Sequence, residues 1–121
     1  MSKDLSFPPE RRLTKSTRIQ SILNRGNIFK GKYCHLFLGE RDDKMTRAAF
    51  VVSEKSASKA TLRNRLKRLM RESFRLLQPE LEEGWPLVFL AKRNVHSDLK
   101  RQHFDRDLQD LMGEAGILQD A

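Results

Sequence analysis

Apolar residues along this chain follow two patterns, one with a helical period of about 3.6 residues and one of short uninterrupted runs. The helical pattern occurs three times. It predicts one helix from Thr14 or Ser16 to Gly26, a second over about 59–77, and a third from Ser97 or Asp98 to near Gly113. The apolar runs predict strands over 32–38, 47–52 and 87–91, and 27–30 could add a short one. The run over 47–52 is nearly all apolar, so we expect that strand to be buried on both faces.

The predicted order, α-β-β-α-β-α, indicates an α/β (α+β) two-layer sandwich, with one sheet and helices packed on it. The chain has 121 residues, which is enough for one hydrophobic core and too few for two. We therefore expect a single domain over 1–121. Residues 1–12 are mostly polar and contain two prolines, and they are predicted to form an extended arm, with a tail over 113–121.

The net charge of the chain indicates what kind of partner it binds. The chain has 24 basic and 16 acidic residues, a net charge of +8 and a pI near 10.1. This balance predicts a polyanionic partner, either nucleic acid or an anionic membrane surface. Residues 55–75 alone contain eight basic residues and one acidic residue, a net charge of +7. Such concentration is typical of a binding face, because a surface selected for solubility mixes the two signs.

On a helical projection of 59–77, apolar and basic residues separate onto opposite sides. The apolar side, which we expect to pack on the sheet, carries Leu62, Leu66, Leu69, Met70 and Leu77. The opposite side carries Arg63, Asn64, Lys67, Arg68, Arg71 and Arg75, with Arg65 on its flank. Each pair of cations four residues apart destabilises a helix by roughly a few tenths of a kcal/mol. The pattern therefore predicts a phosphate-binding face, and the scarcity of acidic residues disfavours the alternative of a merely solvated face.

No set of residues has the spacing of a catalytic or metal site. Cys34 is the single cysteine, which excludes an intramolecular disulfide and suits a reducing compartment, and its apolar run indicates a core position. His35, His96 and His103 form no metal-ligand pattern with it. The acidic residues of the last helix, Asp107 among them, are predicted to lie on an exposed face. The N-terminus lacks the apolar region of a signal peptide and no run is long enough to span a bilayer, so we expect a cytoplasmic protein.

The ten residues Arg-Asn-Arg-Leu-Lys-Arg-Leu-Met-Arg-Glu at 63–72 resemble the signature of the bacterial ribonuclease P protein family. Weaker matches lie in the family's order around it, at Phe7-Pro8, Arg12-Leu13, 47–55 and 87–93, so the resemblance covers about 7–112. It implies a left-handed βαβ crossover, as in folds like that of the second domain of ribosomal protein S5. General topology rules alone predict a right-handed crossover.

The resemblance also implies a function. The family's enzyme is an endoribonuclease that removes the 5′ leader from precursor tRNA, and its RNA subunit performs the hydrolysis with Mg²⁺. The implied partners are the catalytic ribonuclease P RNA, contacted by the signature helix, and precursor tRNA, whose single-stranded leader contacts a cleft between the first helix and the sheet. We expect Mg²⁺ to be held mainly by the RNA, and no protein side chain to be catalytic.

Site residues follow from this resemblance by position. The expected RNA-binding residues are Arg63, Asn64, Arg65, Lys67, Arg68, Arg71 and Arg75. The expected leader-binding residues are Arg12, Ile19, Leu23, Phe37, Lys55 and Lys92. Ile19 and Leu23 stand where the family usually has Phe, and Glu54 stands where it usually has Lys. Because aliphatic side chains stack on bases less well than aromatic ones, the leader contact is expected to be weaker or to involve Tyr33 or Phe29. A plain core role for Ile19 and Leu23 is about equally open.

Two other classes of protein compete with this interpretation. A structural RNA-binding protein, such as a ribosomal protein, fits the size and composition, and only the signature helix and its flanking matches argue against it. A DNA-binding module is disfavoured because the basic helix is long and flanked by strands. A membrane-surface module is disfavoured because the strands need the helix's apolar face.

Overall fold

The computed structural model describes residues 9–93 and 98–119, and these form three helices, four strands and two short 3-10 turns. The helices are α1 (Ser16–Arg25), α2 (Ala60–Leu77) and α3 (Arg101–Ala115). The strands are β1 (Asn27–Lys30), β2 (Cys34–Leu38), β3 (Arg47–Val51) and β4 (Pro86–Ala91). The 3-10 turns cover Pro9–Arg11 and Gln78–Glu80. The predicted series of elements is confirmed, and the optional strand over 27–30 is present as β1.

The strands form one mixed sheet in the order β1-β2-β4-β3. The β1-β2 and β2-β4 pairs are antiparallel, whereas β3 and β4 are parallel and are connected through α2. The architecture confirms the predicted α+β class, with one sheet and helices packed on it. The left-handed sense of the crossover stays a prediction.

The larger core lies between one face of the sheet and the helices α2 and α3. Phe50 of β3, Phe74 of α2 and Phe89 of β4 meet there, with ring centroids 5.7–6.0 Å apart. From α3, Phe104 and Leu108 are fully buried in the same cluster. Burying each such side chain contributes about 1.5–3 kcal/mol, so this contact fixes how α2 is rotated on the sheet.

The smaller core lies on the opposite face of the sheet, beneath α1. Phe37, Ala49 and Val88 project from neighbouring strands and are buried against Ile22 of α1 and Leu13. Strand alternation explains the division, because successive side chains of β2 point to opposite faces.

The strand β3 is less buried than predicted. We expected the strand over 47–52 to be buried on both faces, but β3 is an edge strand with three of its five residues partly exposed. The strand buried on both faces is β4, which lies between β2 and β3. An apolar run reports burial but not position in the sheet, which depends on pairing with distant strands.

The N-terminal arm is held against the sheet from residue 9 onward, and residues 1–8 of the predicted arm lie outside the described residues. Arg11 donates two hydrogen bonds to the Glu83 carboxylate, of 3.0 and 2.9 Å, and a third to the Thr46 carbonyl oxygen. The Leu13 amide donates to the Ala48 carbonyl at 2.9 Å. These contacts place the arm beside the first residues of β3, and Leu13 enters the small core beneath α1.

Helix ends differ from the sequence-based expectations by a few residues. The N-cap positions of α1 and α2 are Lys15 and Lys59, and neither side chain makes a capping hydrogen bond. The third helix starts at Arg101, later than the expected cap at Asp98 or Ser97, and Ser97 lies outside the described residues. Its first turn is capped by His103, whose Nδ1 accepts the Lys100 amide at 2.9 Å. It ends at Ala115, two residues later than expected, and its C-cap Gly116 adopts the left-handed conformation with φ 74°.

Asp107 is buried, which corrects the prediction that it lies on an exposed face of α3. Its Oδ1 accepts the Lys32 amide at 2.8 Å, and its Oδ2 accepts the amides of Tyr33 and Cys34 at 2.8 and 3.0 Å. The carboxylate therefore attaches the β1-β2 turn to α3. Its proximity adds to burial in raising the pKa of the Cys34 thiol, which keeps that thiol protonated and unreactive.

Candidate nucleic-acid interface

The rotation of α2 determines which of its basic residues face solvent. Leu66, Met70 and Phe74, spaced four residues apart, are each fully buried against the sheet and α3. Leu62, Leu69 and Leu77 pack beside them and are partly buried. The predicted apolar side is therefore confirmed, and the basic residues opposite it project away from the core.

Lys67, Arg68 and Arg71 are the basic residues in the middle of the outer face of α2. Arg68 and the neighbouring Asn64 are exposed, whereas Lys67 and Arg71 are partly buried. Within residues 9–93 and 98–119, none of the three cations has a carboxylate oxygen within 4.0 Å. Their repulsion along the helix is thus not neutralised by acidic side chains of this part of the chain. A surface of this kind gains free energy when phosphates arrive between the cations and condensed counterions are released.

Arg63 and Arg75, at the two ends of the face, already bind groups of the protein. The Nη1 of Arg63 donates to the carbonyl oxygens of Ala57 and Ser58, at 3.1 and 2.9 Å, so Arg63 also fastens the loop before α2. Arg75 forms an ion pair of 2.8 Å with Glu72. Arg63 and Arg75 therefore already have partners within the protein, and the RNA-binding roles of all seven expected residues of α2 stay predictions.

The second expected surface lies on the α1 side of the sheet. Ile19 and Leu23 of α1 pack against the small core that contains Phe37, and both stay partly exposed. Val51 and Leu90 continue this apolar surface beyond the helix and are also partly exposed. The structure thus brings the expected apolar residues of the cleft together, and it gives Ile19 and Leu23 a position between the core and solvent.

Basic residues lie at both ends of this surface. Arg12, which is exposed, pairs through its backbone with Ala48 near the start of β3. Lys92 follows the last residue of β4, and Lys55 lies in the exposed loop that leaves β3. Because β3 and β4 are parallel, Lys55 and Lys92 occupy the end of the sheet opposite to Arg12.

A sequence model of the family named Ribonuclease P matches residues 7–116 of this chain. The chain belongs to the ribonuclease P protein family. The ribonuclease P protein component of Fusobacterium nucleatum is 31% identical over 109 residues, which cover 88% of this chain and 97% of that protein. That of Dehalococcoides mccartyi is 34% identical over 107 residues, covering 88% and 86% of the two chains.

Solved structures agree with this assignment at the level of the fold. The ribonuclease P protein of Staphylococcus aureus matches with a TM-score of 0.76 and 20% identity, over 90% of this chain and 98% of that one. The chain is therefore the protein subunit of ribonuclease P, the endoribonuclease of tRNA 5′ maturation, and the ribonuclease P RNA is its partner. This sets aside the alternative of a ribosomal protein.

Two aromatic residues of this ribonuclease P subunit do not lie where the leader contact was expected. Phe29 packs against the larger core, and Tyr33 contacts the rings of His103 and Phe104 on the α3 side. Neither takes the place of an aromatic residue at Ile19 on the opposite face of the sheet. This placement gives no support to Tyr33 or Phe29 as a replacement for the missing aromatic contact, and the leader contact itself stays a prediction.

Among the described residues, the side chains that could bind a metal ion lie apart from one another. In the described part of the chain, no three His, Cys, Asp or Glu residues form a group able to hold a metal ion. Among the same residues, no helix is long and apolar enough to cross a membrane.

One residue with an unexpected environment is His35, which lies on the α1 side of the sheet, two residues before Phe37. Its sequence context, an apolar strand, gave no sign of this position.

Proposed function

We propose that the subunit binds the catalytic RNA through the exposed face of α2, with Lys67, Arg68 and Arg71 as the central phosphate contacts. The observation that carries this proposal is that, in residues 9–93 and 98–119, no carboxylate oxygen lies within 4.0 Å of these three cations. Arginine suits the task because its planar guanidinium can donate to two phosphate oxygens at once.

We also propose that the α1 side of the sheet contacts the single-stranded leader of precursor tRNA. Its support is the partly exposed apolar surface formed by Ile19, Leu23 and Leu90, with Arg12 at one end and Lys92 at the other. Apolar side chains can pack on unpaired bases while the cations contact phosphates. This arrangement assigns the two RNA partners to different faces of the subunit.

The Mg²⁺ ions of the reaction are proposed to be held mainly by the catalytic RNA. A basic interface repels divalent cations, whereas RNA phosphates attract them, so the protein's role is to bring the two RNAs together. In this scheme the subunit has no catalytic side chain, and it works in the cytoplasm, where we propose it meets precursor tRNA.

Reconstitution tests the proposal directly. Purified subunit is added to ribonuclease P RNA and precursor tRNA at a low Mg²⁺ concentration, and removal of the leader is measured. We expect no cleavage by the protein alone and faster cleavage when protein and RNA are combined. No stimulation at low Mg²⁺ would refute the proposal.

The assignment to α2 is tested with Arg68→Ala and a matched control, Arg106→Ala, which removes the same charge from the exposed surface of α3. We expect Arg68→Ala to weaken binding to the catalytic RNA and to reduce the slope of log affinity against log salt by about 1. Arg106→Ala should leave both close to wild type. Equal effects of the two substitutions would mean that only net charge matters.

The leader contact is tested with Lys55→Ala, which changes an exposed loop residue. We expect weaker binding of precursor tRNA by the reconstituted enzyme, and unchanged binding of the same tRNA without a leader. If both RNAs bind less tightly by the same factor, the α1 side of the sheet does not contact the leader.

A further inference from the structure

A row of residues crosses the α1 side of the sheet one step beyond the row that contains Phe37. In the strand register, Lys30 of β1 lies opposite His35 of β2, His35 lies opposite Leu90 of β4, and Leu90 lies opposite Val51 of β3. Directly opposed residues project to the same face, so two basic side chains continue the apolar surface of Leu90 and Val51.

Lys92 adds a third basic group beside this row, one residue beyond the end of β4. Its amide donates to the Tyr33 carbonyl at 3.0 Å. The charges of Lys92 and Lys30 both reach His35, because after burial they are the groups that lower the pKa of its imidazole. Asp107, attached to the same strand from the α3 side, acts in the opposite direction and more weakly.

The imidazole of His35 has unused hydrogen-bonding capacity. Its Nδ1 is buried and has no hydrogen-bond partner among the residues that the structure describes. A buried polar atom without a partner is unfavourable, and a β-branched apolar residue would suit this strand position better on structural grounds. The side chain as a whole is only partly buried, so a ligand on the sheet can contact its exposed part, while Nδ1 itself stays covered by the protein.

We propose that Lys30, His35 and Lys92 together bind a phosphodiester of the single-stranded leader of precursor tRNA, and that His35 gains a proton when it does so. This proposal rests on the proposed leader contact. It adds that a phosphodiester of the leader binds next to the apolar surface, at these three residues. Lys30 lies opposite His35 there and Lys92 acts on it electrostatically, next to Leu90 and Val51, which can pack on an unpaired base.

Proton uptake follows from the electrostatics of this subsite. In the free protein, burial and the two lysines keep His35 neutral near pH 7. A bound phosphodiester offsets the lysine charges and offers a hydrogen-bond acceptor, so the pKa of His35 is higher in the complex than in the free protein. Binding is then favoured by lower pH, in the window between those two pKa values, and is independent of pH above the higher one.

The holoenzyme, reconstituted with ribonuclease P RNA, provides the first test. Equilibrium affinities are measured from pH 5.5 to 8, at constant ionic strength, for one tRNA with and without its leader. We expect the affinity ratio of the two RNAs to rise several-fold as the pH falls, and His35→Val to abolish that rise. The control His103→Gln removes a histidine on the opposite face of the sheet and should keep the rise.

Two outcomes of this test separate the subsite from the wider proposal. If the leader strengthens binding equally in wild type and His35→Val at every pH, the subsite is refuted while the leader contact stands. If a phosphate of the tRNA body or of the catalytic RNA binds at His35, the pH effect will be equal with and without the leader, and this also refutes the assignment.

NMR of the full chain without catalytic RNA provides an independent test. The imidazole of His35 is titrated alone and with an eight-nucleotide single-stranded RNA of leader sequence. We expect its pKa to rise on addition of the RNA, and Lys30→Gln or Lys92→Gln to raise it in the free protein and reduce the further change. An identical titration of His35 with and without RNA would overturn the proposal, whatever the cleavage assays show.

Discussion

Asp107→Asn isolates the contribution of the buried carboxylate that attaches the β1-β2 turn to α3. Asparagine has nearly the same shape as aspartate, so the substitution creates no cavity. One side-chain oxygen can still accept amide hydrogens. The other oxygen becomes an NH₂ group, which must face the amide of Lys32 or those of Tyr33 and Cys34, all of them donors.

The expected cost follows from this mismatch. Losing one hydrogen bond to a charged acceptor costs about 1.5–3 kcal/mol, and leaving a buried donor without a partner costs about 1–3 kcal/mol. These figures describe the same lost interaction and do not add, so we expect Asp107→Asn to lower the free energy of unfolding by about 2–3 kcal/mol. For a domain of this size, that corresponds to a fall of about 6–15 °C in Tm.

Urea denaturation followed by circular dichroism measures this difference at pH 7. The control is Asp110→Asn, which removes the same charge from an exposed position on the same helix and should change stability by less than about 0.5 kcal/mol. Amide hydrogen exchange adds a local measurement, because the turn amides should exchange faster in Asp107→Asn. If both variants unfold at the same urea concentration as the wild type, the carboxylate does not hold the turn.

Two further predictions concern the N-terminal arm and the start of α2. Hydrogen bonds from Arg11 and from the Thr46 amide lower the pKa of Glu83, so its contribution to stability is present above the ordinary glutamate pKa and is lost as the pH falls through the lowered value. Because Glu83 is about half exposed, we expect a small, salt-sensitive effect: between pH 6 and 3, Glu83→Gln should lose less stability than wild type in urea titrations, and equal losses would contradict the assignment. Arg63→Ala should lower Tm by more than Arg68→Ala does, since only Arg63 donates to the Ala57 and Ser58 carbonyls, and calorimetry showing equal Tm values would refute this.

The parts of the structure that sequence reasoning predicted are those set by local periodicity. The apolar residues of α2 recur every three or four positions, so the separation of Leu66 and Met70 from Lys67 and Arg71 is present in the sequence itself. Helix ends were less accurate because the expected capping residues are not used. In α3 the cap is His103, a residue type that carries no strong N-terminal signal.

The parts that were missed depend on contacts between distant residues. Asp107 looked like a surface residue because its partners lie about 75 positions earlier, in a turn whose amides have no sequence signature. The faces of Phe29 and Tyr33 were likewise undecided, since a strand this short shows no clear alternation and only the pairing of β1 with β2 fixes it. His35 was unremarkable until the register placed Lys30 opposite it.

The same eighteen residues of α2 supply both the closing wall of the larger core and the cationic surface. If the helix detaches, the molecule loses its larger core and its cationic surface in one event, so no unfolded form retains the organised surface. In the free subunit the basic side chains of α2 repel one another. If RNA binds at α2 as proposed, assembly offsets this repulsion, and the ribonucleoprotein should resist heat and proteases better than the free protein does.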